Sequence, residues 1–206
     1  AEKSEEMKKA PAKRKLFSVV TVASGEGMSA LFKDMGADVV IEGGQTANPS
    51  TGEFLEAFKL CNSDNIIVLP NNKNILLAAK QAADLYADAA VHIIETKNLM
   101  QGYSALSVIT PGITDIDALL SGAIRAAISV TDGEITRAVR DATIDGASIW
   151  QGDYMAISDG KIAAVTKTAE DAVLRLLEKV DADLCEIITL FTGKHVSEDK
   201  RAELTE

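Results

Sequence analysis

Four short runs constrain this chain more than any other feature: Leu16–Val22 (LFSVVTV), Ala37–Ile41 (ADVVI), Ile66–Leu69 (IIVL) and Ala90–Ile94 (AVHII). Each is apolar almost throughout, rich in β-branched residues and too short for a helix. A strand with one wet face alternates apolar and polar residues, whereas a strand apolar at nearly every position must be covered on both faces. The segments between them carry helical signals. Met28–Met35 fits a short helix ended at Gly36, Ser50 or Thr51 caps a helix running to about Leu60, and Asn71 or Asn72 caps a helix over 72–86. Further helical starts lie at 103–108 and 115–129. This alternation predicts a Rossmann-like parallel α/β sheet with flanking helices over residues 16–129, with ligand or partner loops at the carboxyl ends of its strands.

From about Val130 the pattern changes. Residues 134–142 (EITRAVRDA) alternate apolar and charged side chains, and 154–157 and 161–166 flank Asp159-Gly160, a dipeptide suited to a tight hairpin. Residues 169–180 have an apolar stripe at helical spacing (Val173, Leu176, Leu177, Val180), 184–189 are expected to form a strand, and Ser197 caps a helix through Leu204. These features predict a second, α+β subdomain over 130–206 with a mainly antiparallel sheet. Such a layer usually adds a strand after its last helix, so truncation at the C-terminus is expected. Residues 1–15, rich in Lys, Glu and Ala, are expected to be a flexible linker.

Of the 206 residues, 31 are acidic and 21 basic, a net charge of −10. Residues 1–15 carry +3, so the remaining body carries −13. A body this acidic repels phosphate backbones and anionic lipid heads, which excludes nucleic acid and membrane surfaces as expected partners and favours a basic protein patch. No apolar run approaches the roughly 20 residues of a membrane span, and no signal core opens the chain, so a cytoplasmic location is expected. Two cysteines, Cys61 and Cys185, exclude a disulfide scaffold or a four-cysteine metal site, and the two histidines, His92 and His195, are far apart in sequence.

Three loops carry candidate chemistry. Ser24-Gly25-Glu26-Gly27 stands where a phosphate loop would, but it lacks a third glycine and Glu26 would repel phosphate. The stretch 43–52 (GGQTANPSTG) offers Thr46, Asn48, Ser50 and Thr51 at a strand end, where hydroxyls, amides and a helix N-terminus could hold a carboxylate or simply shape the loop. Asn71 and Asn72 stand at a neighbouring strand end with the same two options. Trp150 and Tyr154 flank Gln151-Gly152-Asp153, where they either anchor a partner or pack across the subdomains. No nucleophile elbow, Walker loop or metal-ligand spacing is present, so neither a catalytic nor a metal residue is assigned.

Several stretches together resemble one bacterial family: 43–51, 67–75 (IVLPNNKNI), 96–102 (TKNLMQG), 133–140 (GEITRAVR) and 151–153 (QGD). The chain is similar, over nearly all of 16–206, to the C-terminal domain of the kinase subunit of bacterial fatty acid kinase, in the dihydroxyacetone-kinase-like family. The resemblance implies a DegV-like fold of two α/β subdomains. ATP and Mg2+ would belong to an N-terminal domain without counterpart here, leaving this domain with no cofactor. The implied function is non-catalytic docking. An acidic surface would receive the acyl-carrying, fatty-acid-binding protein subunit, which would have a basic surface, so that another domain phosphorylates the fatty acid for phospholipid synthesis. Asp132, Glu134, Asp141, Asp145, Trp150 and Asp153 are the expected interface, and the fragment is expected to be a monomer. The alternative is a fatty-acid-binding module with the carboxylate near Thr46–Ser50. DegV-like lipid binders carry a Thr-Ser-Gln-Pro-Ser type of loop there; this chain has Thr46-Ala47-Asn48-Pro49-Ser50.

Overall fold

The computed structural model describes residues 13–44, 48–144 and 146–205. It divides into two compact units at Val130/Thr131. In the first unit, β1 (Lys15–Ala23), β2 (Val39–Glu42), β3 (Ser63–Leu69) and β4 (Ala90–Ile93) form one parallel sheet in the order β2-β1-β3-β4. Successive side chains of a strand point to opposite faces, and β3 shows why its run has to be apolar throughout. Ile67 and Leu69 join one core with Val19, Phe32, Leu106 and Leu119, while Ile66 and Val68 join another with Val20, Phe54, Phe58 and Ile75.

Helices α1 (Glu26–Asp34), α4 (Leu99–Ser107) and α5 (Ile116–Ser129) supply the first core. Helices α2 (Thr51–Lys59) and α3 (Leu76–Leu85) supply the second. Phe58 is fully buried there, edge-on to Tyr86 at 5.4 Å between ring centroids; an aromatic pair of this kind adds roughly 1 kcal/mol to the burial itself. Ser50 caps α2 through a complete capping box with Glu53, and Asp115 caps α5. Helix α3 departs from expectation. It begins at Leu76, and neither Asn71 nor Asn72 caps it, because Asn71 is in the left-handed region (φ 57°) and turned inward. Asn98, not singled out from the sequence, caps α4.

The second unit is built on an antiparallel sheet of β5 (Gly133–Arg137), β8 (Tyr154–Ser158) and β9 (Lys161–Thr166), in the order β5-β8-β9. Asp159 and Gly160, at φ 51° and 72°, make the β8–β9 turn; both central residues of such a turn need positive φ. Helix α6 (Ala169–Lys179) packs on this sheet, and at Gly133 a Cβ would lie 2.6 Å from Leu176 Cδ2, so only glycine admits the helix that closely. Helix α7 (Glu198–Thr205) follows, held to α6 by the Lys200–Glu170 ion pair.

Two expectations are corrected here. The alternation over 134–142 is not one strand. β5 ends at Arg137, and residues 142–144 and 147–149 form a separate ribbon, β6 (Ala142–Ile144) with β7 (Ala147–Ile149). Residues 184–189 are not a strand either. Asp181 is left-handed, Ala182–Leu184 form a 3-10 turn, and the residues that follow pair with no described strand. Ile187 remains 82% exposed. β-branched side chains favour an extended backbone, but a strand exists only through a neighbour's hydrogen bonds, and the described residues offer this run none.

Candidate functional site

The sheet of the first unit grows from β1 outward to β2 and then, on the other side, to β3 and β4. Its topological switch point therefore lies between β1 and β3, where a crevice opens outside the strand ends. Asn71 occupies the base of that crevice and is buried. Its Nδ2 donates to Thr21 Oγ1 and to the Val22 carbonyl, both at 2.9 Å. Its Oδ1 accepts from Thr96 Oγ1 at 2.8 Å, and its own N–H donates back to that oxygen at 2.9 Å. One side chain thus ties the end of β1, the loop after β3 and the loop after β4. Helix α4 approaches so closely that a Cβ on Gly102 would overlap Asn71 Oδ1.

The surrounding polar groups are also engaged with one another. Asn72 Nδ2 donates to the Gly44 carbonyl and to Asn48 Oδ1, both at 3.4 Å. The Ser50 hydroxyl caps α2, and Thr51 Oγ1 donates to Gln81 Oε1 at 3.1 Å. Thr46 lies outside the described residues. At the start of α1, Gly25 N–H donates to Glu42 Oε1 at 3.0 Å, so a carboxylate of the chain itself takes the amide that a phosphate loop would present. Glu42 was not singled out from the sequence, because nothing local links residues 25 and 42.

In the second unit the expected interface residues divide. Asp145 lies outside the described residues. Asp153 is buried: its Oδ1 accepts from Lys167 Nζ at 2.6 Å and its Oδ2 from Trp150 N–H at 3.1 Å. Asp141 Oδ1 accepts from Gln151 N–H at 2.7 Å. Backbone bonds from Ala138 N–H to the Asp153 carbonyl and from Gly152 N–H to the Ala138 carbonyl, both 2.8 Å, stitch residues 150–153 to 138–141. Glu134 is exposed on β5, and Asp132 is half-buried, its carbonyl accepting from Ser158. Trp150 is 59% exposed, with Val139 and Ile144 also at the surface.

The hydrogen bond from Lys167 holds the Asp153 carboxyl below its usual range, with the Trp150 N–H adding to it. A depressed carboxyl stabilises the fold above its unfolded value near 3.9, and that contribution is lost as pH falls through the lower, folded value. Trp150 is the only tryptophan and its amide belongs to this pair. Acid titration below pH 4 should therefore change its fluorescence, and Asp153→Asn should remove most of that pH-dependent step. An unchanged acid step in the variant would assign it elsewhere.

The cysteines differ in kind. Burial, with Asp38 nearby, pushes the half-buried Cys61 thiol up to about 11, and its Sγ lies 3.6 Å from the Ala57 carbonyl; Cys185 is exposed. At pH 8 about one Cys61 in a thousand is thiolate. A disulfide reagent should label Cys185 promptly and Cys61 only slowly until the fold is denatured; two equal fast phases would contradict this. His92 Nε2 contacts Asn65 Oδ1 at 2.9 Å. Among the described residues no group of three or more His, Cys, Asp or Glu could hold a metal ion, so these residues do not fit a Mg2+ site. No helix among them is long and apolar enough to cross a membrane.

A parallel sheet covered by helices on both faces, joined to an antiparallel sheet with one packed helix, defines the class as a two-unit α/β protein. The chain belongs to the FakA-like C-terminal family, that of the C-terminal part of the A-like subunit of fatty acid kinase, and matches its pattern over residues 18–206. It is 40% identical to protein YloV of Bacillus subtilis (strain 168) over 194 residues, which is 94% of this chain and 35% of YloV. It is 39% identical to the uncharacterized protein SAR1202 of Staphylococcus aureus (strain MRSA252) over 181 residues, 86% of this chain and 32% of that protein. The chain therefore spans about a third of the length of these relatives.

Proposed function

We propose that this chain is a non-catalytic docking domain of a fatty acid kinase that acts in the cytoplasm. It receives the acyl-carrying, fatty-acid-binding subunit, and residues outside this chain bind ATP and Mg2+ and transfer the phosphoryl group. The observation that carries the reading is the exposed Trp150, fixed through its own amide to Asp153 and bordered by Val139 and Ile144. A large aromatic side chain on a rigid, solvent-facing loop is the usual anchor of a protein interface. The acid excess of the body supports a partner with a basic surface, because opposite net charges speed encounter. The domain itself is taken to be a monomer.

A second reading, a fatty-acid-binding module, draws support from one observation: the 43–52 loop stands at the switch point of a parallel sheet, where ligands commonly bind. One preparation separates the two. The purified chain is extracted with organic solvent and assayed for fatty acid by mass spectrometry. It is then titrated, in low and in high salt, with the acyl-carrying subunit. Docking predicts no stoichiometric acyl chain and an association that slows as salt rises. One acyl chain per protein would overturn docking in favour of lipid binding.

A further inference from the structure

We propose that the surface around Trp150 is a docking site for an acidic segment of a partner protein, with Arg137 and Arg140 as its carboxylate receptors. The inference goes beyond the docking reading, since it concerns the chemistry of the contact and not the identity of the subunit.

Two shallow clefts flank the β6–β7 ribbon. One, of about 280 Å³, runs along Asp141–Thr143 and Ser148–Trp150, and the other, of about 440 Å³, is lined by Arg137–Val139 with Gln151 and Gly152. Between them stand large apolar side chains with nothing over them: Val139 is 83% exposed and Ile144 44%, besides Trp150.

The charges at this surface are arranged unlike those of the rest of the chain. Its nearest acids are already satisfied, Asp153 by Lys167 and Trp150 N–H, and Asp141 by Gln151 N–H. Its two arginines are not: among the described residues neither Arg137 nor Arg140 has a carboxylate partner. Arg137 is nonetheless held in place. Its Nε donates to the Gly152 carbonyl at 3.2 Å and its guanidinium lies 5.8 Å from the centre of the Tyr154 ring. That leaves its terminal nitrogens over the larger cleft. A fixed guanidinium fork matches a carboxylate by two parallel hydrogen bonds, and because it is already oriented it loses little side-chain freedom on binding.

A carboxylate in the cleft, with an apolar neighbour laid on Trp150 and Val139, would complete both halves of the surface. Aromatic and arginine side chains together are also the composition of interface hot spots. A nucleic-acid strand is the poorer occupant, because residues 131–206 carry seven more acidic than basic side chains and would repel a polyphosphate as a whole.

The test uses the full chain and Trp150 as its own reporter. Three tetrapeptides are titrated while the fluorescence is followed: acetyl-Leu-Glu-Glu-Leu-amide and its Gln-Gln and Lys-Lys counterparts. The acidic peptide should produce a saturable change in the millimolar range and the other two should not. Arg140→Gln should weaken the acidic peptide at least fivefold without moving the thermal midpoint. Arg137→Lys, which keeps the charge and removes the fork, should weaken it as well. An equal or larger response to the lysine peptide, no response to the acidic one, or undiminished binding by Arg140→Gln would each overturn the proposal.

Discussion

Replacing Asn71 with alanine should lower the stability of the first unit by about 3 kcal/mol. Two effects combine. The side chain makes three buried hydrogen bonds, and its loss leaves Thr21, the Val22 carbonyl and Thr96 without their partner. Each orphaned buried group costs roughly 1–3 kcal/mol, reduced where water enters the space left behind. Alanine would also inherit a backbone at φ 57°, which asparagine tolerates better than other side chains with a Cβ. Asn71→Asp should be at least as damaging despite its equal size, because a carboxylate oxygen would then face the Val22 carbonyl in place of an N–H donor.

Urea denaturation followed by circular dichroism checks this: the midpoint should fall and the slope should hold. A loss below about 1 kcal/mol would mean that water replaces the side chain with little penalty. Gly102→Ala strikes the same contact from the other side. Because the two positions touch, the double variant should lose clearly less than the sum of the single losses.

Trp150→Ala should weaken binding of the acyl-carrying subunit by about 30-fold, a change of about 2 kcal/mol, typical of an interface anchor. The fold should be nearly untouched, since the indole is mostly in solvent and the hydrogen bond to Asp153 comes from the main-chain amide, which alanine retains. Binding measured beside a thermal melt separates the effects. Unchanged affinity with an unchanged melt would move the docking surface off this loop. Lost affinity with a lowered melt would show that Trp150 acts through the fold.

Much of the architecture is legible in the sequence, because local chemistry and tertiary demand agree there. Ile66–Leu69 is apolar at every position, so it must be covered on both faces, and it is. Asp159-Gly160 can accept two positive φ values in succession, and the hairpin follows. The strand expected over 184–189 failed for the converse reason: it had propensity without a partner.

The candidate site was only half legible. The sequence marks Asn71, Asn72, Ser50 and Thr51 as polar groups at strand ends. It does not tell whether such groups face a ligand or each other, which depends on contacts across 25 to 50 residues, such as Asn71 with Thr96 and Thr21. The acids beside Trp150 show the same limit. In sequence they form an acidic stretch, yet in space Lys167, fourteen residues away, neutralises Asp153, while Arg137 and Arg140 are left without a carboxylate among the described residues.

The sequence by itself determined the alternation of buried strands and helices, the antiparallel pattern after residue 130 and the family, because each rests on periodicity or on short motifs that act locally. Only the tertiary structure decided that Asn71 is a buried clamp, that Asp153 is held inside its loop and that Trp150 faces solvent. Burial and hydrogen-bond partnership are properties of pairs brought together by folding, and no single segment carries them.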